Sequence, residues 1–178
     1  MHLIGKSSLQ YFFFLYLLVS APLAAADAES KLKALGIELY EVKKPTNNFI
    51  QVVQTGNLLF VSGHGPKKAD GSYIIGKVGK ELTIEQGAEA ARLMGVSILS
   101  SVKNEIGDLS RVSRFVKVLG MVNATEDFKQ HAQVINGFSD FMVEVFGESG
   151  RHARSAVGMQ SLPAGFAIEI EVIIELKD

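Results

Sequence analysis

An α+β domain with its helices on one side of a sheet is the fold this sequence predicts, and three observations carry that expectation. Apolar residues recur at helical spacing over two long stretches, Ala88 to Ile106 and Phe128 to Val145. Val112 to Val122, where Arg114 and Lys117 alternate with apolar neighbours, and Phe166 to Glu175, where Glu169 and Glu171 stand between apolar residues, have the period of strands. Glycine-rich turns separate these stretches, so the elements follow one another in the order ββ(β)αβαββ. The chain has 178 residues, enough for one domain with a proper core, and it shows no internal repeat or low-complexity linker.

The first 28 residues are a different kind of sequence. Lys6 precedes the apolar block Tyr11 to Val19, and small residues follow, with Ala24-Ala25-Ala26 or Ala26-Asp27-Ala28 as an A-x-A cleavage site. That order is expected of a secretory signal peptide, and the apolar run is short for a membrane span. Residues 1–28 are therefore expected to be removed, leaving a single domain over 29–178. The mature protein would be periplasmic or secreted, with no membrane attachment after cleavage.

Within that domain, Glu29 to Leu35 predicts a short amphipathic helix stopped by Gly36. Phe49 to Val53 and Leu58 to Ser62 read as strands joined through Gln54-Thr55-Gly56-Asn57. Asp70-Gly71 marks a turn before a third short strand, Tyr73 to Ile75. Thr83-Ile84-Glu85-Gln86 has capping-box spacing, and the helix it opens runs to Gly107. A second long helix is expected from about Thr125, with Phe128, His131, Ile135, Phe138, Met142 and Val145 on one face. Gly147 and Gly150 end it before a terminal hairpin, in which a strand carrying Arg154 turns at Leu162-Pro163 into the last strand. On that last strand Phe166, Ile168, Ile170, Val172 and Ile174 share one face, and Ala167, Glu169, Glu171, Ile173 and Glu175 the other.

Composition narrows the chemistry. A net charge of -1, with no basic run, argues against nucleic acid as a partner. The absence of cysteine excludes disulfides, thiolate nucleophiles and cysteine-ligated metals. His64, His131 and His152 lack short ligand spacing, so no metal is expected. Gly76-Lys77-Val78-Gly79-Lys80 lacks the spacing of a phosphate loop, and no Gly-x-Ser-x-Gly elbow supports a serine nucleophile. What remains is the C-terminal quarter. Arg154 offers the planar fork that binds a carboxylate bidentately. Glu169, nearest the Leu162-Pro163 turn, is expected beside it across the hairpin, while Glu171 and Glu175 read as the solvated side of the strand.

Ala153-Arg154-Ser155, Val157, Leu162-Pro163 and Ile168-Glu169-Ile170-Glu171 resemble the C-terminal signature of the Rid (YjgF/RidA) family. Upstream, Thr55-Gly56-Asn57-Leu58-Leu59-Phe60-Val61-Ser62-Gly63-His64-Gly65-Pro66 is similar to that family's glycine-asparagine strand, and Asp127-Phe128 with Val134-Ile135-Asn136 to its second helix. The resemblance spans about Phe49 to Glu175 and looks most like the branch labelled endoribonuclease- or chorismate-mutase-like. It implies a chorismate-mutase-like mixed β-sheet with two long helices on one face, and a homotrimer with clefts between subunits. It also implies cofactor-independent hydrolysis of reactive enamines and imines, of the 2-aminoacrylate type, to 2-keto acids and ammonia.

By the same resemblance, Arg154 clamps the substrate carboxylate, Glu169 handles the proton of the attacking water, and Ser62, Gly63 and Asn136 position the substrate. The family's cleft tyrosine falls on Phe49, which keeps an aromatic wall without the hydroxyl. His64 replaces a usual glutamine, and Ala156 stands where the family often has cysteine. Two other functions fit the same residues: a non-catalytic trimer that binds small carboxylates, and the endoribonuclease activity attached to some relatives by name.

Overall fold

The computed structural model describes residues 27–43 and 48–178. Nearly all of the expected signal peptide, residues 1–26, lies outside the described residues. Helix α1 (Ala28–Ala34) begins at Asp27, whose side chain accepts the Ser30 N–H at 2.7 Å, and it buries Leu32. Strands β1 (Val52–Thr55) and β2 (Leu58–His64) form the expected hairpin, with Thr55 opposite Leu58 and Gly56 at a φ of 57° in the turn.

Helix α2 (Ile84–Ile106) opens on the expected capping box. Gln86 N–H donates to the Thr83 hydroxyl at 3.2 Å, and Thr83 N–H donates to the Gln86 side chain at 2.9 Å. Gly107, at a φ of 81°, ends it. Strand β3 (Val112–Asn123) follows, then helix α3 (His131–Phe146), strand β4 (Ala153–Met159) and strand β5 (Ile168–Leu176). The five strands stand in the order β1-β2-β5-β3-β4. All neighbours are antiparallel except β3 and β4, so the sheet is mixed, as expected.

The two long helices cover one face of this sheet. Phe115, Val118 and Val122 of β3 and Ile168, Ile170 and Ile174 of β5 are fully buried, as are Met94, Ile98 and Leu99 of α2 and Ile135, Phe138 and Phe141 of α3. The helices approach closely because small residues face large ones: Gly95 sits under the Phe141 ring, and Gly137 lies against the Ala88 carbonyl. A methyl group at Gly137 would run into that backbone carbonyl, which cannot rotate away. Gly137→Ala is therefore expected to destabilise the fold by about 1–3 kcal/mol despite alanine's better helix propensity. A urea midpoint equal to or above wild type would contradict that packing.

Four local expectations need correction. Tyr73 to Ile75 makes only isolated bridges, Lys67 with Tyr73 and Ile75 with Phe166, rather than a strand. The first strand starts at Val52, leaving Phe49 and Ile50 exposed ahead of it. Helix α3 starts at His131, because Phe128 N–H closes a turn onto the Thr125 carbonyl at 3.2 Å before the helix begins.

The largest correction is that β4 and β5 do not form a hairpin. Helix α3 returns the chain between β3 and β4, and a helical crossover makes the strands it links parallel. Strand β5, with five of its nine residues buried, takes the centre between β2 and β3. The mostly exposed β4 is left at the edge.

Candidate functional site

Alternation along β4 decides where Arg154 goes. Gly120 of β3 lies against Ile135 of α3, so its partners Ala156 on β4 and Ile170 on β5 face the helices too. Arg154, two residues from Ala156, shares that face. Its Nη1 donates to Asn136 Oδ1 and to Ser139 Oγ, both at 2.9 Å. Asn136 and Ser139 are three apart on α3 and hence neighbours on its surface. Both hydrogens of Nη1 are thereby used. The Nε–Nη2 edge, which presents parallel donors, takes no protein acceptor among the described residues, and no carboxylate there pairs with Arg154.

Glu169 lies elsewhere. It alternates with Ile168 and Ile170, which face the helices, so its side chain is on the open face of the sheet. There β2 is irregular: Val61 pairs with Val172 and His64 with Ile170, with a register shift across Ser62 and Gly63. Gly63 lets the Glu169 carboxylate lie against the backbone, and any side chain at that position would collide with it. Burial pushes the Glu169 pKa up from its ordinary value, and the Glu171 charge adds to the shift. Ser62 donates its N–H to the Gln51 carbonyl at 2.9 Å. It lines a cavity of about 530 Å³ on the open face, with Ile50, Phe60, Lys117, Ser155 and Glu171 among its walls. Phe49 is half exposed beside Ile50.

Arg154 and Glu169 are thus not brought together in one chain. Arg154 is level with Val118, whose partner on β5 is Val172, whereas Glu169 is level with Met121. Two strand spacings and three residues of register separate them by roughly 14 Å along the sheet, with the side chains on opposite faces. The expectation that they face each other across a hairpin fails with the hairpin. Asn136 does join Arg154, and Gly63 joins Glu169, so the expected residues form two separate clusters.

His64, on β2, is held at both ring nitrogens. Nδ1 lies 2.6 Å from the Ser62 carbonyl and Nε2 lies 2.7 Å from Ser101 Oγ on α2. A carbonyl only accepts, so Nδ1 carries the proton and Nε2 accepts from the Ser101 hydroxyl. Burial holds the His64 pKa below 6.5, against the opposing effect of the Ser62 carbonyl. The unfolded chain therefore takes up this proton first. Stability is fully present above 6.5 and falls as pH drops through that value toward the lower folded pKa. His64→Gln is expected to flatten the fall in urea midpoint between about pH 7.5 and about pH 5. An equal fall in both proteins would contradict a buried neutral His64.

Sequence reasoning missed Ser139, and for His152 it weighed a place flanking the Arg154 cleft against a plain surface role and favoured the surface. His152 donates through Nδ1 to the Gly150 carbonyl at 2.7 Å, and its Nε2 lies 3.0 Å from Ser139 Oγ. The available signal was spacing: Asn136 and Ser139 share a helix face, and His152 and Arg154 share a strand parity. Among the described residues no group of three or more His, Asp or Glu side chains could hold a metal. No described helix is long and apolar enough to cross a membrane.

Residues 29–175 match the family described as "YjgF/chorismate mutase-like, putative endoribonuclease". Protein TCP17 of Trypanosoma cruzi is 39% identical over 156 residues, 87% of this chain and 98% of that protein. A protein of unknown function from Agrobacterium tumefaciens, Atu1372, has a crystal structure that superposes with a TM-score of 0.77 at 40% identity, covering 84% of this chain and 94% of that one. A Shewanella oneidensis structure named as a "putative endoribonuclease" superposes with a TM-score of 0.81 at 30% identity, covering 85% of this chain and all of that one.

Proposed function

Because this chain belongs to the Rid (YjgF/RidA) family, in its chorismate-mutase-like branch, we propose that it is a cofactor-independent deaminase that hydrolyses 2-imino acids, of the 2-aminoacrylate type, to 2-keto acids and ammonia. The observation that carries this reading is the Arg154 guanidinium, anchored through Nη1 alone with its Nε–Nη2 edge left for a ligand. That edge matches the two oxygens of a carboxylate and holds them in one plane. An imine carbon next to a carboxylate is already electrophilic, so orientation and one proton carrier suffice.

Glu169 is the proton carrier. As an ionised carboxylate it takes a proton from water while the oxygen attacks the imine carbon, giving a carbinolamine. That proton goes to the nitrogen of the carbinolamine, and Glu169 then carries the hydroxyl proton to the same nitrogen as the C–N bond breaks, releasing ammonia and the keto acid. Its raised pKa suits this exchange better than that of an ordinary glutamate. Gly63 gives the reacting groups close approach, Ser62 lines the approach from the open face, Phe49 is the aromatic wall that the resemblance implies, and Asn136 fixes Arg154.

The reading requires a second copy of the chain, since Arg154 and Glu169 sit on opposite faces of one sheet. The open face carries exposed apolar groups, including Val53, Phe60 and Val157, that suit association with another copy. A homotrimer with clefts between subunits, each formed by Arg154 of one and Glu169 of another, completes the site. Export through residues 1–28 belongs to the same proposal. Cleavage after Ala26 leaves Asp27 to cap α1, whereas cleavage after Ala28 removes that cap.

The test is to mix purified mature protein with freshly generated 2-aminoacrylate and follow pyruvate release. Release faster than in buffer is expected, and equality with buffer rejects the deaminase. Tight carboxylate binding without turnover would instead favour a binding trimer. The ribonuclease named for the family has less support here, because a chain with a net charge of -1 lacks the excess cation that RNA phosphates require.

A further inference from the structure

Arg154 is held by a hydroxyl whose own proton needs an acceptor. Ser139 Oγ accepts from Arg154 Nη1 at 2.9 Å and lies 3.0 Å from His152 Nε2. The Gly150 carbonyl, 2.7 Å from His152 Nδ1, can only accept, so Nδ1 carries the imidazole proton. In the neutral ring Nε2 is then an acceptor, and the Ser139 hydroxyl donates to it. The result is a directed chain from Arg154 N–H to Ser139 O–H to His152, whose N–H ends on the Gly150 carbonyl. Each N–H or O–H hydrogen in the chain has one acceptor, and reversing the Ser139–His152 link leaves either two donors or two acceptors facing each other. Burial keeps the His152 pKa below its ordinary value, with the Arg154 charge acting the same way, against the opposing bond to Gly150.

We propose that His152, acting through Ser139, is a positioning residue for Arg154: the chain turns the Ser139 lone pairs toward Nη1 and so reserves the Nε–Nη2 edge for a substrate carboxylate. Asn136 supplies the second anchor from the next turn of α3. The inference rests on the reading of Arg154 as the carboxylate clamp. It adds that the clamp is set by a hydroxyl–imidazole pair that itself touches no substrate.

The test uses pyruvate, a keto-acid product that does not turn over, titrated calorimetrically into the mature protein and its variants. Ser139→Ala and His152→Phe are each expected to weaken pyruvate binding about tenfold and to raise KM similarly, with kcat within about twofold of wild type. The double variant should be no weaker than either single one, because both break the same chain. His152→Gln, whose side-chain amide oxygen can accept from Ser139 in place of Nε2, should restore most of the affinity.

Thermal melts of each variant separate positioning from folding. Lower melting temperatures with unchanged pyruvate affinity overturn the proposal. If Arg154→Ala abolishes binding while Ser139→Ala and His152→Phe bind as wild type does, the positioning role alone falls. If Arg154→Ala still binds pyruvate, the clamp falls and the positioning role with it.

Discussion

Arg154→Ala is expected to lower kcat/KM toward 2-aminoacrylate by about a hundredfold, or ~2.7 kcal/mol of transition-state stabilisation. Most of the loss should appear in KM, because a carboxylate clamp holds substrate and transition state alike. Arg154→Lys should recover little. An ammonium keeps the charge but cannot offer two parallel donors, and it cannot hold both Asn136 and Ser139 while presenting a second edge. Removal of Arg154 leaves Asn136 and the Ser139–His152 pair without their cation, yet Arg154 lies at the edge strand and no described carboxylate depends on it. The fold is therefore expected to survive, and steady-state kinetics on a folded variant will separate a lost clamp from a lost protein. Wild-type kcat/KM in Arg154→Ala would remove Arg154 from the site.

Glu169→Gln is expected to act on the other constant. With the proton carrier gone and the shape kept, kcat should fall by about 10²- to 10³-fold while KM changes little. On the proposed mechanism the wild-type protein should lose activity as pH falls through the raised Glu169 pKa, above the ordinary glutamate value of 4.5, because only the ionised carboxylate can take the proton from water. Residual activity in Glu169→Gln should lack that acid limb.

Stability should move the opposite way. A carboxyl whose folded pKa is raised holds its proton more tightly in the native state, so its favourable contribution is present below 4.5 and is lost as pH rises through the folded value. At neutral pH the buried charge is a cost, and Glu169→Gln should melt higher than wild type there, with the difference vanishing in acid. A variant that loses both activity and stability at neutral pH would make Glu169 a structural residue.

The parts of the fold legible in the sequence were those with local causes. Thr83 and Gln86 carry the start of α2 in their own side chains, Gly107 carries its end, and Gly56-Asn57 carries the β1–β2 turn. The terminal strands were not legible by the same means, since Arg154 and Glu169 flank a Leu162-Pro163 turn that could equally close a hairpin or lead across a strand. What decides between the two is non-local. Helix α3 imposes parallel pairing on β3 and β4, and the apolar face of β5 claims the sheet centre.

Asn136 entered the site by resemblance alone, and Ser139 was invisible because a single hydroxyl on a helix has no motif. Its role emerges only once α3 lies over β4. Gly63 also entered by resemblance alone, and its lack of a side chain is what allows the Glu169 carboxylate to lie against β2.

A site divided between two copies can be tested by mixing two proteins that are each impaired at low substrate. Arg154→Ala and Glu169→Gln chains, co-expressed in equal amounts, assemble at random. In a trimer with three shared clefts, about a quarter of the clefts then receive Arg154 from one chain and Glu169 from another. At substrate well below the wild-type KM, where both parents have almost no activity, recovery of about a quarter of wild-type imine hydrolysis is the predicted result. Mixed trimers as inactive as their parents would contradict the shared cleft and the function built on it.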